Sequence, residues 1–329
     1  MTRVACGIAG TGSCVPDKVL TNAELSAMVD TSDEWITQRT GIKERRIAAE
    51  GQSTSDLCIV AGRRALESAG LTPDRIDMVI LATVTPDMHV PATSCRIQAA
   101  LGCTRAAAFD IAAGCTGFVY AMNVATQFLW SGTSRNILVI GAECLSRITN
   151  YKDRTSCILF GDAAGAVVLS SERWQWGEVR SCSIEADGSG YDVMYQTAGG
   201  ASLPLTAELI EQDAHKLVIR GREVYKFATN KMVELVRREA ANNPELPLGA
   251  VIPHQMNARI IEAARERLDL PEDSIYVNIE RFGNTSSASI PLALDEARRE
   301  GFLDPHKGKL VVLCAFGAGL TWGSVGLRW

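Results

Sequence analysis

Positive charge is in short supply in this sequence. Its 329 residues carry 33 Lys and Arg against 38 Asp and Glu, a formal net charge of −5. A chain without a basic excess lacks the electrostatic footprint of a nucleic-acid binder. Histidine is scarcer still. His89, His215, His254 and His306 are the whole set, and none stands at metal-ligand spacing to another. The ten cysteines include no Cys-x-x-Cys pair, which argues against a zinc site or a thioredoxin-type motif. No secretory signal is expected, because Met1-Thr2-Arg3 leads straight into a short strand-like run. Ten scattered cysteines without such a segment fit a reducing compartment and a cytoplasmic protein.

Charge is wholly missing from two stretches, 111–134 and 310–327. Each is long enough to suggest a membrane span. The first contains Gly114, Gly117, Asn123 and Gln127, and reads as a strand end plus a helix buried between layers. The second contains four glycines, which weaken a helix, and reads as two strands joined by a glycine-rich loop. No membrane span is expected.

What is present is a long alternation of strands and helices. A first strand is expected at 3–8. The Gly7, Gly10, Gly12 series lacks the dinucleotide-binding spacing, and Pro16 interrupts the helix that should follow. Thr21 and Glu24 form a capping box for a helix to Val29. Ser32 or Asp33 caps a second helix, stopped by Gly41, and an amphipathic helix at 53–69 is stopped by Gly70. Strands follow at 77–84, 106–111, 136–143 and 166–170, with helices at 92–101 and from Gly117 to Trp130. The stretch 171–221 is mixed, Gly-rich and aperiodic. Beyond it come a helix (223–241), a strand (250–252), a helix (258–268), a strand (275–279), a helix (287–300) and two strands (309–315, 321–328). This order repeats the first half, so the expected fold is α/β with two similar halves, 1–172 and 173–329, packed face to face around a buried helix pair.

The focal stretch is Phe109-Asp110-Ile111-Ala112-Ala113-Gly114-Cys115-Thr116-Gly117-Phe118. An apolar strand turns sharply into a helix with a thiol at the turn. A helix N-terminus favours thiolate and offers free N–H groups to an oxyanion. The alternative is a buried structural cysteine. In sheets of this kind, sites gather at the carboxyl ends of strands. His254 follows the 250–252 strand, and Asn284 follows the counterpart of the strand before Cys115. All three could meet in one cleft.

Six segments in order then resemble β-ketoacyl-acyl-carrier-protein synthase III, a thiolase-fold enzyme family. They are Thr31-Ser32-Asp33-Glu34-Trp35-Ile36, running on to Arg39-Thr40-Gly41-Ile42; Ala113-Gly114-Cys115-Thr116-Gly117-Phe118; Phe160-Gly161-Asp162-Ala163-Ala164-Gly165-Ala166; Pro253-His254-Gln255-Met256-Asn257; Gly283-Asn284-Thr285-Ser286; and Phe316-Gly317-Ala318-Gly319-Leu320-Thr321-Trp322-Gly323. The resemblance implies a five-layer αβαβα fold and a Cys115–His254–Asn284 triad. It implies acylation of Cys115 by an acyl-CoA, then condensation with malonyl-acyl carrier protein. The oxyanion donors would be the N–H groups of Cys115 and Ala318, the latter where glycine is usual. Trp35, Arg39, Arg154, Asn257 and Tyr225 would bind CoA, while Val90, Leu145 and Phe160 would line the acyl pocket. Lys226, Arg259, Arg265 and Arg267 would form a docking patch for the acidic carrier protein, or else a solvated face, with Glu262 and Glu266 interleaved on the Arg259-to-Arg267 helix. No cofactor or metal is implied, and a homodimer is.

One departure concerns Val90, which stands where some relatives carry a phenylalanine capping the partner subunit's acyl pocket. The smaller residue suggests a deeper pocket. Rival readings are a condensing enzyme or acyltransferase of polyketide, alkylquinolone or other secondary metabolism, an enzyme joining two fatty acyl chains, a thiolase using Cys314 as a second reactive cysteine, a thioesterase or cysteine hydrolase, and a non-catalytic binding module.

Overall fold

Strands that are apolar at every position need cover on both faces, and this requirement shapes the architecture. In the computed structural model, which describes residues 3–329 apart from the side chain of Arg222, strands 136–143 and 163–170 are buried throughout. The first half runs β1 (Gly7–Cys14), β2 (Lys18–Thr21), α1 (Asn22–Ser26), α2 (Asp33–Thr40), β3 (Glu44–Ile47) and α3 (Thr54–Ala69). It continues with β4 (Met78–Ala82), α4 (Thr93–Leu101), β5 (Ala107–Ile111), α5 (Gly117–Trp130), β6 (Asn136–Glu143) and β7 (Ala163–Ser170). The second half runs β8 (Trp176–Ala186), β9 (Met194–Gln196), α6 (Ala207–Glu211), β10 (Leu217–Ile219), α7 (Gly221–Asn242) and β11 (Leu248–Pro253). Then come α8 (Ala258–Leu268), α9 (Ile279–Phe282), α10 (Ser289–Arg299), β12 (Leu310–Gly317) and β13 (Thr321–Arg328).

The main sheet has nine strands in the order β11-β12-β13-β8-β1-β7-β6-β4-β5. Its pairings mirror one another about the antiparallel β1–β8 junction. On one side β4 and β6 are parallel while β6–β7 and β7–β1 are antiparallel; on the other, β11 and β12 are parallel while β12–β13 and β13–β8 are antiparallel. Three apolar clusters define five layers. Residues of α3 and α4 cover one wing of the sheet. Residues of α7 and α8 cover the other. Between the wings lie α5 and α10, whose Phe118, Met122, Ile290 and Leu294 pack against strands of both. No helix among the described residues is long and apolar enough to cross a membrane.

The Thr21–Glu24 capping box and the Ser32 cap form as expected, and Gly41 and Gly70 end their helices in left-handed conformation. Other boundaries differ. α1 stops at Ser26, short of Val29. The first strand begins at Gly7 and reaches Cys14, because Gly10 and Gly12 lie against the α3 backbone too closely to admit a Cβ. β8 lies within the stretch that reads as aperiodic. Its Ser181 donates to Glu239 and its Ser183 meets Ser324, so a buried polar network replaces the apolar alternation that marks a strand. The strand expected at 275–279 is a single parallel bridge, Val251 to Ile275. Beyond it the Asn278 N–H donates to Gln255 Oε1 instead of to a neighbouring strand, and the chain turns into α9.

The central layer should dominate stability. Leu294→Ala, in a fully buried position, is expected to cost about 2–5 kcal/mol in chemical denaturation, and Leu205→Ala, at 48% exposure, less than about 0.5 kcal/mol.

Candidate active site

The chain leaves β5 at Ile111 and makes a tight turn, Gly114–Thr116, before α5 begins. Gly114 takes a φ of 53°, a left-handed turn that glycine adopts without strain. Cys115 sits in that turn, 6% exposed. The Thr321 hydroxyl stands 2.9 Å from Thr116 Oγ1 and 3.2 Å from the Ala113 carbonyl, tying the turn to β13. The loop between β12 and β13 crosses directly over the cysteine. A Cβ on Gly317 would stand 2.8 Å from the Cys115 nitrogen, so only glycine allows the approach. Ala318 lies alongside: its nitrogen is 3.3 Å from where a Gly114 Cβ would be.

The sequence suggests that the α5 N-terminus favours thiolate. Burial pushes the Cys115 thiol from 9.0 up to about 11. A helix terminus contributes at most about 2 kcal/mol in the other direction, and no cation among the described residues offsets the desolvation. Cys115 therefore rests as a thiol at neutral pH.

His254 follows β11. Its N–H donates to the Cys314 carbonyl at 2.8 Å, and its Nδ1 lies 2.6 Å from Ser289 Oγ. No described residue offers the buried Nε2 a hydrogen-bond partner. The ring stands edge-on to Phe316, 5.9 Å between centroids. Complete burial pushes its pKa down to about 3. Gln255 pins the strand end, its Nε2 donating to the carbonyls of Pro253 and Tyr276.

Asn284 is held by backbone on both sides. Its N–H donates to the Leu159 carbonyl at 2.8 Å, and its own carbonyl accepts from Gly161 at 3.0 Å. Its Oδ1 accepts the Ser286 N–H at 2.8 Å, which leaves Nδ2 as the free end of the amide. Ser286 adopts a left-handed φ of 49°, rare for a residue with a side chain, and its hydroxyl neighbours the Cys115 sulfur. Behind these groups lies Glu143. It accepts hydrogen bonds from Thr83, Thr85, Ser286, Ser287 and the Val84 N–H, and burial pushes it up to about 7.

Two cavities serve the site. The outer one, about 490 Å³, is lined by Trp35, Arg39, Phe160, Tyr225, Asn257, Arg259 and Asn284 among others. The inner one, about 10 Å³, is lined by Cys115, Ala318, Phe316 and Leu320, with Val193 from the region that reads as aperiodic. Met194, Val224 and Met256 wall both. His254 lines neither, although Phe316, against which its ring packs, lines the inner one.

The other sequence-expected residues divide. Arg39 and Arg154 lie over the Trp35 ring, each 4.6 Å from its centroid, and Arg154 also pairs with Asp30. Asn257 reaches the cavity but does not brace His254: its side chain caps α8 and donates to the Arg39 carbonyl. Of the expected acyl-pocket residues, Phe160 lines the outer cavity only. Leu145 is buried on neither wall, and Val90 is 84% exposed. Arg265 forks onto Glu262 and Arg267 donates to Asn230, so both are tied to their own surface, whereas Arg259 borders the outer cavity and Lys226 is exposed. The site contacts of Ser286, Ser289 and Glu143 escaped the sequence reading, although Ser286 closes the Gly283-to-Ser286 segment and Ser289 follows it by three residues. No group of three His, Cys, Asp or Glu among the described residues could hold a metal.

Comparison with known proteins places this geometry among relatives. Residues 109–188 match the family model for 3-oxoacyl-[acyl-carrier-protein] synthase III, and residues 240–329 match the model for its C-terminal part. A β-ketoacyl-[acyl-carrier-protein] synthase III of Caldanaerobacter subterraneus is 51% identical, covering 99% of this chain and 98% of the relative. The crystal structure of 3-oxoacyl-[acyl-carrier-protein] synthase III from Aquifex aeolicus superposes with a TM-score of 0.89 at 42% identity, covering 98% of this chain and all of that one. A priming β-ketosynthase of the R1128 polyketide pathway superposes at 0.90 with 33% identity, covering 99% and 96%.

The buried imidazole makes a testable contribution to acid sensitivity. Below pH 6.5 the unfolded chain protonates this histidine, while the native protein keeps it neutral to about pH 3. Stability is therefore lost as pH falls through that window, at about 1.4 kcal/mol per pH unit. Between pH 6.5 and 5, urea titrations should show the native protein losing about 2 kcal/mol more than His254→Asn.

Proposed function

The chain belongs to the β-ketoacyl-[acyl-carrier-protein] synthase III family, and we propose that Cys115, His254 and Asn284 perform its condensation. The enzyme is an acyltransferase that initiates fatty acid synthesis from an acyl-CoA primer and malonyl-acyl carrier protein. Cys115 sulfur adds to the primer's thioester carbonyl, and the oxyanion takes hydrogen bonds from the Cys115 and Ala318 N–H groups. CoA departs as the thiol, carrying off the proton that Cys115 gives up, and leaves an acyl-enzyme. Malonyl-carrier protein then loses CO₂, and the enolate oxygen takes hydrogen bonds from His254 Nε2–H and Asn284 Nδ2–H. The enolate carbon attacks the Cys115 thioester, and the released thiolate is reprotonated.

The observation that carries this reading is a pair of uncommitted neutral donors. His254 and Asn284 are each fixed at the opposite end of the side chain, by Ser289 and by the Ser286 N–H, and each keeps one nitrogen without a described partner. The same geometry disfavours the rivals. A hydrolase histidine acting as base would want a carboxylate on Nδ1 and a higher pKa, and Cys314 is a buried strand residue whose thiol burial pushes up to about 12.

In this reading Trp35, Arg39 and Arg154 grip CoA through stacking and phosphate contacts, with Tyr225 and Asn257 on the pantetheine channel. Arg259 and Lys226 receive the acidic carrier protein. The chain divides into halves at 172/173, works as a homodimer in the cytoplasm and needs no cofactor. The ten unpaired cysteines suit that compartment.

Intact-mass measurement after mixing with a panel of acyl-CoAs should show one acyl group per chain, none in Cys115→Ala, and turnover only with malonyl-carrier protein. Rapid loss of the acyl group to water would mark a hydrolase. Acyl transfer without malonyl-carrier protein would mark an acyltransferase of secondary metabolism. In the same panel Val90→Phe should shift preference toward acetyl-CoA over primers two carbons longer by about tenfold, the worth of about two methylene groups. Strict acetyl preference in the unmodified enzyme would remove the deep-pocket reading.

A further inference from the structure

His254 has two ring nitrogens, Nδ1 against Ser289 and a buried Nε2 with no described partner, and on the proposed reading only Nε2 serves the chemistry. A neutral imidazole carries its hydrogen on one nitrogen and a lone pair on the other. On the reading above, the enolate oxygen needs the hydrogen on Nε2. What places it there must act on Nδ1.

The group at Nδ1 is the Ser289 hydroxyl, 2.6 Å away and 1% exposed at the first residue of α10. Ser289 Oγ also receives the Gln255 N–H, at 3.4 Å. Gln255 cannot turn away, since its side chain is held by Pro253, Tyr276 and Asn278. With that N–H arriving at its oxygen, the serine has one hydrogen left to donate. Among the described residues its only acceptor is His254 Nδ1. The opposite tautomer would send two N–H groups into one hydroxyl oxygen and bury the serine hydrogen without a partner. It would also turn the Nε2 lone pair toward a negatively charged oxygen.

We propose that Ser289 is a positioning residue: its hydroxyl donates to His254 Nδ1 and so keeps the hydrogen of the neutral imidazole on Nε2, where the condensation step uses it. Acylation of Cys115 draws on the N–H groups of Cys115 and Ala318 and does not depend on this hydrogen. Ser289 thus serves one half-reaction and not the other.

The experiment uses the full-length enzyme with ¹⁵N-labelled histidine, the His254 signals being assigned by their loss in His254→Asn. The unmodified enzyme at neutral pH should show a protonated Nε2 and an unprotonated Nδ1. Ser289→Ala should move both shifts toward a mixture of tautomers, and Ser289→Thr, which keeps the hydroxyl, should return them. Condensation by Ser289→Ala should fall about tenfold, the worth of about one hydrogen bond, while acetyl loading of Cys115 stays within about twofold. A protonated Nδ1 in the unmodified enzyme overturns the proposal without recourse to any variant. So do unchanged shifts in Ser289→Ala, or equal losses in loading and condensation. Shifts that move while condensation stays intact uphold the tautomer assignment and instead remove His254 as the enolate donor.

Discussion

A single carboxylate, with no cation among the described residues beside it, ties the Cys115 side of the site to the Asn284 side. Glu143 ends β6 in the first half, and it gathers donors from the end of β4 and from Ser286 and Ser287 of the second half. Each donor satisfies part of a buried charge that would otherwise be expensive. Together they fix the arm that carries Asn284 against the turn that carries Cys115. The pseudo-symmetric sheet brings the N-terminal ends of α5 and α10 near each other, and Glu143 sets their relative position.

On the proposed reading, the site this builds works without a fixed charge at the reacting atoms. Burial holds Cys115 as a thiol and His254 as a neutral imidazole. Asn284 never titrates. Charge arises only when substrate does, on an oxyanion or an enolate, and it arises among fixed dipoles. Such dipoles stabilise developing charge strongly because they need no reorganisation. The arrangement also explains why the imidazole is braced by a hydroxyl. A carboxylate at Nδ1 would favour the imidazolium and change the chemistry available.

Much of this was legible in the sequence, for reasons that differ residue by residue. The turn at Cys115 stood out because an apolar strand, two glycines and a helix leave few alternatives. The capping residues Thr21 and Ser32 announced their helices through local hydrogen bonds, which depend on near neighbours alone. His254 and Asn284 were found by their places after strands and by family resemblance. β8 was hidden because Ser181 and Ser183 bury hydroxyls on Glu239 and Ser324, partners far along the chain. The high thiol pKa of Cys115 was equally invisible, since desolvation depends on what surrounds the sulfur and not on the helix it starts. Asn257 was read as a CoA contact, and it does line the outer cavity, but its amide is also engaged in capping α8 and in a hydrogen bond to the Arg39 carbonyl.

The small inner cavity bears on the lifetime of the acyl-enzyme. At about 10 Å³ it has room for about one water beside the Cys115 sulfur. An acyl carbonyl seated there would evict that water and leave a thioester with no nucleophile in reach. The enzyme could then hold a charged primer safely through the interval before a carrier protein arrives. Val193 and Met194, at the start of β9, wall this space, so its cover comes from the small β9–β10 sheet as well as from the main sheet beneath it.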